Sequence, residues 1–392
     1  MRSVELFAGC GGLALGLSRA GFNHELVVEL DDHAVATLAE NKRRLVTHVR
    51  DWSIEHQDVR LVDFTKIEGE IDLVAGGPPC QPFSIGGKHL GPQDSRNMWP
   101  EAIRAVRELR PKAFLFENVR GLLRPAFADY LAYLKLHLSF PEIAVSDSES
   151  WEGHFERLKR YAHAHDGPPS YRVVFRAINT ADYGAPQQRH RAIAVGIRTD
   201  VTVDWEYPQA THSREALVWS KYVAGEYWDQ YPAAVPLGSD AEATILAKLL
   251  TQEGEPVGVP WLTVRDAIGD LPVPVEGTEP IANHTLRPGA RAYPRHTGSL
   301  WDFPAKALKA GDHGVPGGEN MLALGHGAVR YFTLREMARL QGFPDDFVVP
   351  NTWKRPIKQL GNAVPVQVGE AFGRGLARIL EAAATNQVAR AA

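Results

Sequence analysis

The stretch that most constrains this chain is Gly76-Gly77-Pro78-Pro79-Cys80-Gln81-Pro82-Phe83-Ser84. It follows an apolar run at 71–75 that reads as a buried strand. Prolines fix φ and remove backbone donors, so the strand must end there. A thiol is left at the tip of a stiff turn, just past the carboxyl end of a strand, where ligands bind in open α/β sheets. A lone Cys in a turn is more often a small buried residue. The stretches around it favour a nucleophile for covalent catalysis instead.

Residues 3–7 read as a first strand, Gly9-Cys10-Gly11-Gly12 as a Gly-rich turn, and 13–20 as a helix. Such a corner lets backbone approach a ligand closely. A second strand at 24–29 ends in Glu29, placed to accept hydrogen bonds from ribose hydroxyls. Taken alone, this pattern also fits a nicotinamide-dependent dehydrogenase or an ordinary tight turn. Cys10 reads as a small residue of that turn. Asp31 and Asp32 cap a helix to about residue 41. Asp58 and Asp63 precede the Cys80 strand; each is a candidate contact to a cofactor base or else a solvated carboxylate.

After Cys80, Lys88, His89 and Arg96 lie among Gly86, Gly87 and Gly91, a loop that can close and suits a polyanion. A helix is expected at 100–109 and a strand at 113–116, ending in Glu117-Asn118-Val119. In a parallel sheet Glu117 would share the Cys80 site and could hold or donate a proton. The alternative is a surface Glu in a turn. Residues 122–167 read as helical, with a polar surface insertion at 146–152. Strands at 171–177 and 192–197 flank Gln187-Gln188-Arg189-His190-Arg191. If that run is extended, Gln187, Arg189 and Arg191 share one face, suited to a base edge, a phosphate or a carboxylate. His190 then points the other way, as a structural residue.

Beyond 198 the regular alternation stops. Arg287, Arg291 and Arg295 recur every four residues beside Tyr293 and suit a phosphate backbone, with a solubilising loop an equal reading. Regularity returns at 329, with a helix at 332–341 carrying a Thr333–Glu336 capping box. Gly342-Phe343-Pro344-Asp345 reads as a turn, and Gln359-Leu360-Gly361-Asn362-Ala363-Val364-Pro365 precedes a final helix at 366–384. That helix is expected to cover the first strand and bring Asn362 beside the Gly9–Gly12 turn.

Composition enters as a set of exclusions. A chain of 392 residues, 44% hydrophobic and 23% charged, suits two globular domains. No run is apolar enough to span a membrane, and the N-terminus enters a strand without a signal-peptide pattern. Two cysteines cannot form a disulfide framework and fit a reducing cytosol. A net charge of −4 argues against a basic, non-specific nucleic-acid coat, though not against a local basic cleft.

In this order the motifs resemble those of the DNA (cytosine-5) methyltransferases. Phe7-Ala8-Gly9-Cys10-Gly11-Gly12 is similar to their S-adenosyl-L-methionine loop, Gly77-Pro78-Pro79-Cys80-Gln81 to their nucleophile motif, and Glu117-Asn118-Val119 to their acid motif. Gln187–Arg191 is similar to the Gln-x-Arg-x-Arg motif, and Arg335-Glu336 with Arg339–Pro344 and Gly361–Pro365 to the last two. Amino-methylating enzymes use (Asp/Asn)-Pro-Pro-aromatic, whereas Pro78-Pro79 here leads into a thiol.

The resemblance implies an α/β, Rossmann-like class I methyltransferase sheet. It implies a catalytic domain at 1–198 and 329–392, and a smaller irregular target-recognition domain at 199–328. It implies catalysis by Cys80, Glu117, Arg189 and Arg191. Cofactor contacts are expected from Phe7, Ala8, Gly9, Gly11, Gly12, Leu13, Glu29, Asp58 (by spacing, ahead of Asp63), Pro78, Asn362 and Ala363. DNA contacts are expected from Gln81, Ser84, Gln187, Arg287 and Arg291. The product would be S-adenosyl-L-homocysteine, with no metal. The expected partner is double-stranded DNA, with a cognate restriction endonuclease acting separately. The enzyme is expected to be a cytoplasmic, nucleoid-associated monomer.

Overall fold

Apolar alternation and β-branched runs build the strands, and one sheet collects most of them. A computed structural model describes residues 1–79, 97–203, 205–232, 239–252, 254–277, 280–294, 297–310, 319–350 and 353–391. Strands β1 (Arg2–Leu6), β2 (Asn23–Glu29), β3 (Ile54–His56), β4 (Leu73–Gly76) and β5 (Ala113–Val119) run parallel. β6 (Tyr171–Asn179) and β8 (His190–Arg198) follow, with the short β7 (Gln187–Gln188) between them. The seven-stranded order is β3-β2-β1-β4-β5-β8-β6, and β8 is antiparallel to both neighbours. Chain direction across the sheet reverses between β1 and β4. That switch point opens a crevice at the carboxyl ends of the two strands.

The helices are α1 (Gly12–Arg19), α2 (Asp32–Arg43), α3 (Trp99–Leu109), α4 (Ala128–Ser139) and α5 (Trp151–Ala164) in the first half. Then come β9 (His212–Ser213), α6 (Arg214–Tyr222), α7 (Glu226–Gln230), α8 (Asp240–Leu249), β10 (Val259–Pro260) and α9 (Val264–Ile268). β11 (Ala305–Lys306) pairs with β7, and β12 (Met321–Gly325) forms a hairpin with β13 (Ala328–Tyr331). The chain ends with α10 (Leu334–Leu340), α11 (Lys354–Asn362) and α12 (Val366–Ala391).

One sheet face packs Val4, Leu6, Val74, Phe114 and Phe116 under α3, α4 and α5. The other packs Leu73, Ala75, Leu115, Ile193 and Val195 under α1 and α12. Helices α1 and α12 meet backbone to backbone. A Cβ on Gly12 would lie 2.2 Å from the Val364 carbonyl oxygen, and one on Gly16 would lie 2.3 Å from that of Val366. Only glycine permits that approach. The last helix therefore closes the sheet beside the Gly-rich turn, as expected.

Three features depart from expectation. β5 continues through Val119, so Glu117 lies within the strand, paired with Ile193, rather than in a turn after it. Residues 354–362 form a helix that the sequence reading did not assign: Pro356 falls in its first turn, where a missing N–H does no harm, and Ile357 and Leu360 are buried. The stretch after 198 is more regular than its composition implies. Capping boxes start α8 at Ser239–Glu242 and α9 at Thr263–Asp266. A buried Lys221–Glu242 ion pair at 3.1 Å joins α6 to α8, with Lys221 Nζ 4.1 Å from the Phe303 ring centroid. Val201 and Tyr207 also still pack in the core with Phe372, so the sheet's packing continues past residue 198.

Two buried histidines set the acid limit of this fold. His24 (6% exposed) donates from Nε2 to the Ala14 carbonyl. His137 (2% exposed) stacks edge-on against His154 at 4.5 Å. Burial holds their pKa values down, to about 4 and about 3, from an ordinary 6.5. Both are neutral in the fold, so above about pH 6.5 neither lowers stability. Below that, unfolded chains take up protons that the fold refuses. Stability should fall by about 1.4 kcal/mol per buried imidazole for each pH unit. Urea unfolding at pH 7.0 and 5.5 checks this, and His137→Phe should remove one histidine's share.

Candidate active site

The cofactor corner begins with strain. Phe7 has φ +56°, a left-handed value uncommon for a non-glycine residue and costly for an aromatic one. Gly9 and Gly11 follow at φ +56° and +86°. A Cβ on Gly9 would meet nothing within 4 Å, so that part of the turn faces open space. On Gly11 it would lie 2.8 Å from the Trp52 ring, which packs the opposite side.

Glu29 clasps this turn from the end of β2. Its Oε2 accepts the Gly9 N–H at 2.7 Å, and its Oε1 accepts those of Leu30 and Asp31 at 2.9 and 2.8 Å. Charge-assisted bonds of this kind fix the carboxylate. Oε2 keeps one lone-pair direction, which fits a ribose hydroxyl. The Gln57 N–H donates to the Glu29 carbonyl at 3.1 Å, which puts Asp58 next along the same sheet edge. Asp58 caps a short 3-10 turn and is bound by the Arg60 guanidinium, which holds its pKa down. Asp63 caps the following turn and bonds to Thr65. An open Gly turn, a clasped carboxylate and a second acid on one edge together fit an adenosine-bearing cofactor.

At the neighbouring strand end, β4 and β5 are tied together. The Asn118 Nδ2 donates to the Pro78 carbonyl at 3.0 Å. A Cβ on Gly77 would lie 3.5 Å from Glu117 Oε2. The turn leading into Cys80 therefore abuts the Glu117 carboxylate. Cys80, Gln81 and Ser84, with Lys88, His89 and Arg96, lie outside the described residues, as does Arg295. Glu117 is buried and paired at 2.5 Å with Arg191 Nε. The pairing follows from register: Glu117 sits opposite Ile193, two residues from Arg191 on the same face.

Gln187 and Arg189 do not share that face. Gln187 is fully buried, with Nε2 facing Gln341 Oε1 at 3.3 Å and Oε1 accepting the Leu308 N–H at 2.9 Å. Arg189 is 3% exposed and donates to the carbonyls of Leu308 and Gly361 at 2.8 and 2.7 Å. The run is split between the two-residue β7, which pairs with β11, and the start of β8, with Arg189 between them, so it is not one extended strand. Gln187 and Arg189 brace the segments at 308, 341 and 361. The Leu13 side chain lies in the core with Val364 and Phe372. Ala8 and Ala363 are buried, Pro78 is buried and Asn362 is exposed beside the turn. Arg287 and Arg291 are exposed on an irregular stretch.

Sequence reasoning missed what Gln341 and Arg335 do. Gln341 is fully buried, and its Nε2 donates to the Leu360 carbonyl, binding α10 to the segment that carries Asn362. Arg335 is fully buried and donates to the carbonyls of Ala282, Pro344 and Phe347. Both sit in stretches already recognised as motifs, but only the tertiary partners show that the motif is a brace.

A family model for C-5 cytosine-specific DNA methylases matches residues 1–139 and 164–378. The unmatched interval contains the polar stretch at 146–152, expected as a surface insertion, and most of α5. The type II methyltransferase M.PspPI of Psychrobacter sp. is 33% identical over 97% of this chain and 80% of its own length. M.Eco47II of Escherichia coli, also a type II methyltransferase, is 31% identical over 96% and 79%. Among solved structures, a prophage-encoded E. coli protein described as a candidate DNA modification methyltransferase aligns with TM-score 0.56 at 22% identity, covering 97% of this chain and 99% of that one.

Proposed function

Because the chain belongs to the C-5 cytosine-specific DNA methylase family and is thus a DNA (cytosine-5) methyltransferase, we propose that it methylates carbon 5 of a flipped-out cytosine through a covalent Cys80 adduct. The observation that carries this reading is the abutment of the Cys80 turn on the buried Glu117–Arg191 pair. Carbon 5 of cytosine is a weak nucleophile. Thiolate addition at carbon 6 drives electron density onto carbon 5, and Cys is the side chain best suited to that addition. S-adenosyl-L-methionine, when bound, supplies an electrophilic methyl group. Glu117 meets the charge that develops at ring nitrogen 3, and Arg191 holds the base carbonyl. The carbon 5 proton then leaves and the Cys80–carbon 6 bond breaks, restoring the ring.

The other thiol supports the assignment by default. Cys10 is buried, and its pKa is pushed up to about 12, so it stays protonated and inert. Carbon 6 is shielded in a stacked duplex, which makes base extrusion necessary. The bracing by Gln187 and Arg189 assigns them to positioning. Residues 199–328 are proposed as the target-recognition part, because they lie between the two halves that build the sheet and its closing helix. The type II relatives support a modification role beside a separate restriction endonuclease. Among the described residues no helix is long and apolar enough to cross a membrane.

Incubation with duplex DNA and methyl-labelled cofactor, followed by nucleoside analysis, tests the reading. The expected product is 5-methylcytosine; a label on an exocyclic nitrogen would overturn it. Glu117→Gln should slow turnover by about 10² to 10⁴-fold with DNA affinity retained.

A further inference from the structure

The depth of the site determines where the rest of a bound nucleotide must lie. Glu117 is buried and sits within β5, two residues before the end of that strand. A cytosine ring that reaches this carboxylate from a duplex enters over the carboxyl edge of the sheet. Its sugar and both phosphates stay attached, so they are left at the rim. An anion held beside a buried acid calls for a cation there.

Strand register says which residues form that rim. Val119, the last residue of β5, pairs with Arg191, and the next position outward on each strand is Arg120 and His190. Glu117 and Arg120 are three residues of extended chain apart, roughly 10 Å, a separation that one nucleotide can bridge. Leu122 is fully buried in the core and anchors the turn that follows β5. Arg120 is therefore fixed at the rim between two held residues, and it is exposed. Neighbouring guanidiniums are engaged elsewhere. Arg189 is buried on the Leu308 and Gly361 carbonyls, and Arg191 is paired with Glu117. Arg124 lies over the Phe127 ring, with its Nε on the Gly121 carbonyl. Arg120 has no ion pair and no ring contact among the described residues.

We propose that Arg120 holds a phosphate adjoining the everted cytosine, an inference that rests on the base-flipping reading above. It is a positioning residue: it grips the DNA backbone and touches none of the reacting atoms. A guanidinium fork matches two phosphate oxygens at once, which fixes orientation as well as charge. Gripping the backbone at the rim keeps the ring seated against Glu117.

A thermodynamic cycle between Arg120→Gln and single neutral phosphates tests it. The duplex carries the methylation site found by bisulfite sequencing of DNA that the protein has modified. Methylphosphonate replaces the phosphate on the 5′ or the 3′ side of the target cytosine, one at a time. Arg120→Gln should bind the unmodified duplex about tenfold more weakly, the size of one charge-assisted contact. The slope of log affinity against log salt should become shallower by about 0.9, the share of one phosphate. One of the two methylphosphonates should cost the wild type about the same tenfold and cost Arg120→Gln nothing further. Arg120→Lys should recover most of the salt slope, and the melting temperature of both variants should match the wild type. Wild-type affinity and slope in Arg120→Gln overturn the assignment, as do losses that simply multiply at both phosphates. 2-Aminopurine at the target position reports extrusion separately. A wild type that binds this duplex without a rise in its fluorescence would refute the flipping reading itself.

Discussion

Cys80→Ser is expected to lower methyl transfer by at least about 10⁴-fold while leaving duplex DNA binding within a few-fold of wild type. A hydroxyl stays protonated near neutral pH and is a far weaker nucleophile than a thiolate. Cys10 offers no rescue, since it is buried and its thiol stays protonated. The loss should appear almost wholly in kcat, because the sulfur acts after the base is bound. Electrophoretic mobility shifts alongside single-turnover methyl transfer separate the two. A variant that keeps more than about a tenth of wild-type turnover would be incompatible with thiolate addition.

Removal of residues 359–392 should abolish cofactor binding, and the structure shows why a single side chain can approach the same outcome. Val364, Val368, Phe372 and Leu376 complete the core against α1 and the sheet. A Cβ on Gly16 would lie 2.3 Å from the Val366 carbonyl oxygen, 2.6 Å from Glu370 N and 2.7 Å from Gly369 Cα. All three are backbone, so relief requires the helices to separate. Gly16→Leu should therefore destabilise the protein by more than about 3 kcal/mol. It should also weaken S-adenosyl-L-methionine binding, since α1 carries the Gly9–Gly12 turn at its start. Thermal unfolding and calorimetry check both effects. Cofactor binding retained without residues 359–392 would show that the C-terminal segment does not shape the site.

The corners of this site were legible because their signals are local. A Gly-rich turn after a strand, an acid at the next strand end and a proline-bound thiol each announce themselves within ten residues. The Thr333–Glu336 capping box is local in the same way, and it forms as expected. The bracing by Gln187 and Arg189 was not legible because their partners, at 308, 341 and 361, lie more than a hundred residues away. Period-2 alternation assigns them a face but says nothing of what covers it. Glu5 shows the same limit. Ser3, Val4, Glu5 and Leu6 alternate as in a strand with one wet face, yet β1 is a central strand covered on both sides. The helices between 214 and 268 were hidden by frequent Trp, Pro and Gly, and are held by the Lys221–Glu242 pair and capping boxes.

The bond between one cysteine and the target ring can be observed directly. A duplex carrying 5-fluorocytosine at the target position cannot lose fluorine as it loses a proton, so the adduct should persist. Mass spectrometry of the wild-type protein with this duplex and S-adenosyl-L-methionine should find the nucleotide attached to the peptide containing Cys80, and Cys80→Ser should give no adduct. An adduct of equal yield on Cys80→Ser, or one mapped to another residue, would contradict the account.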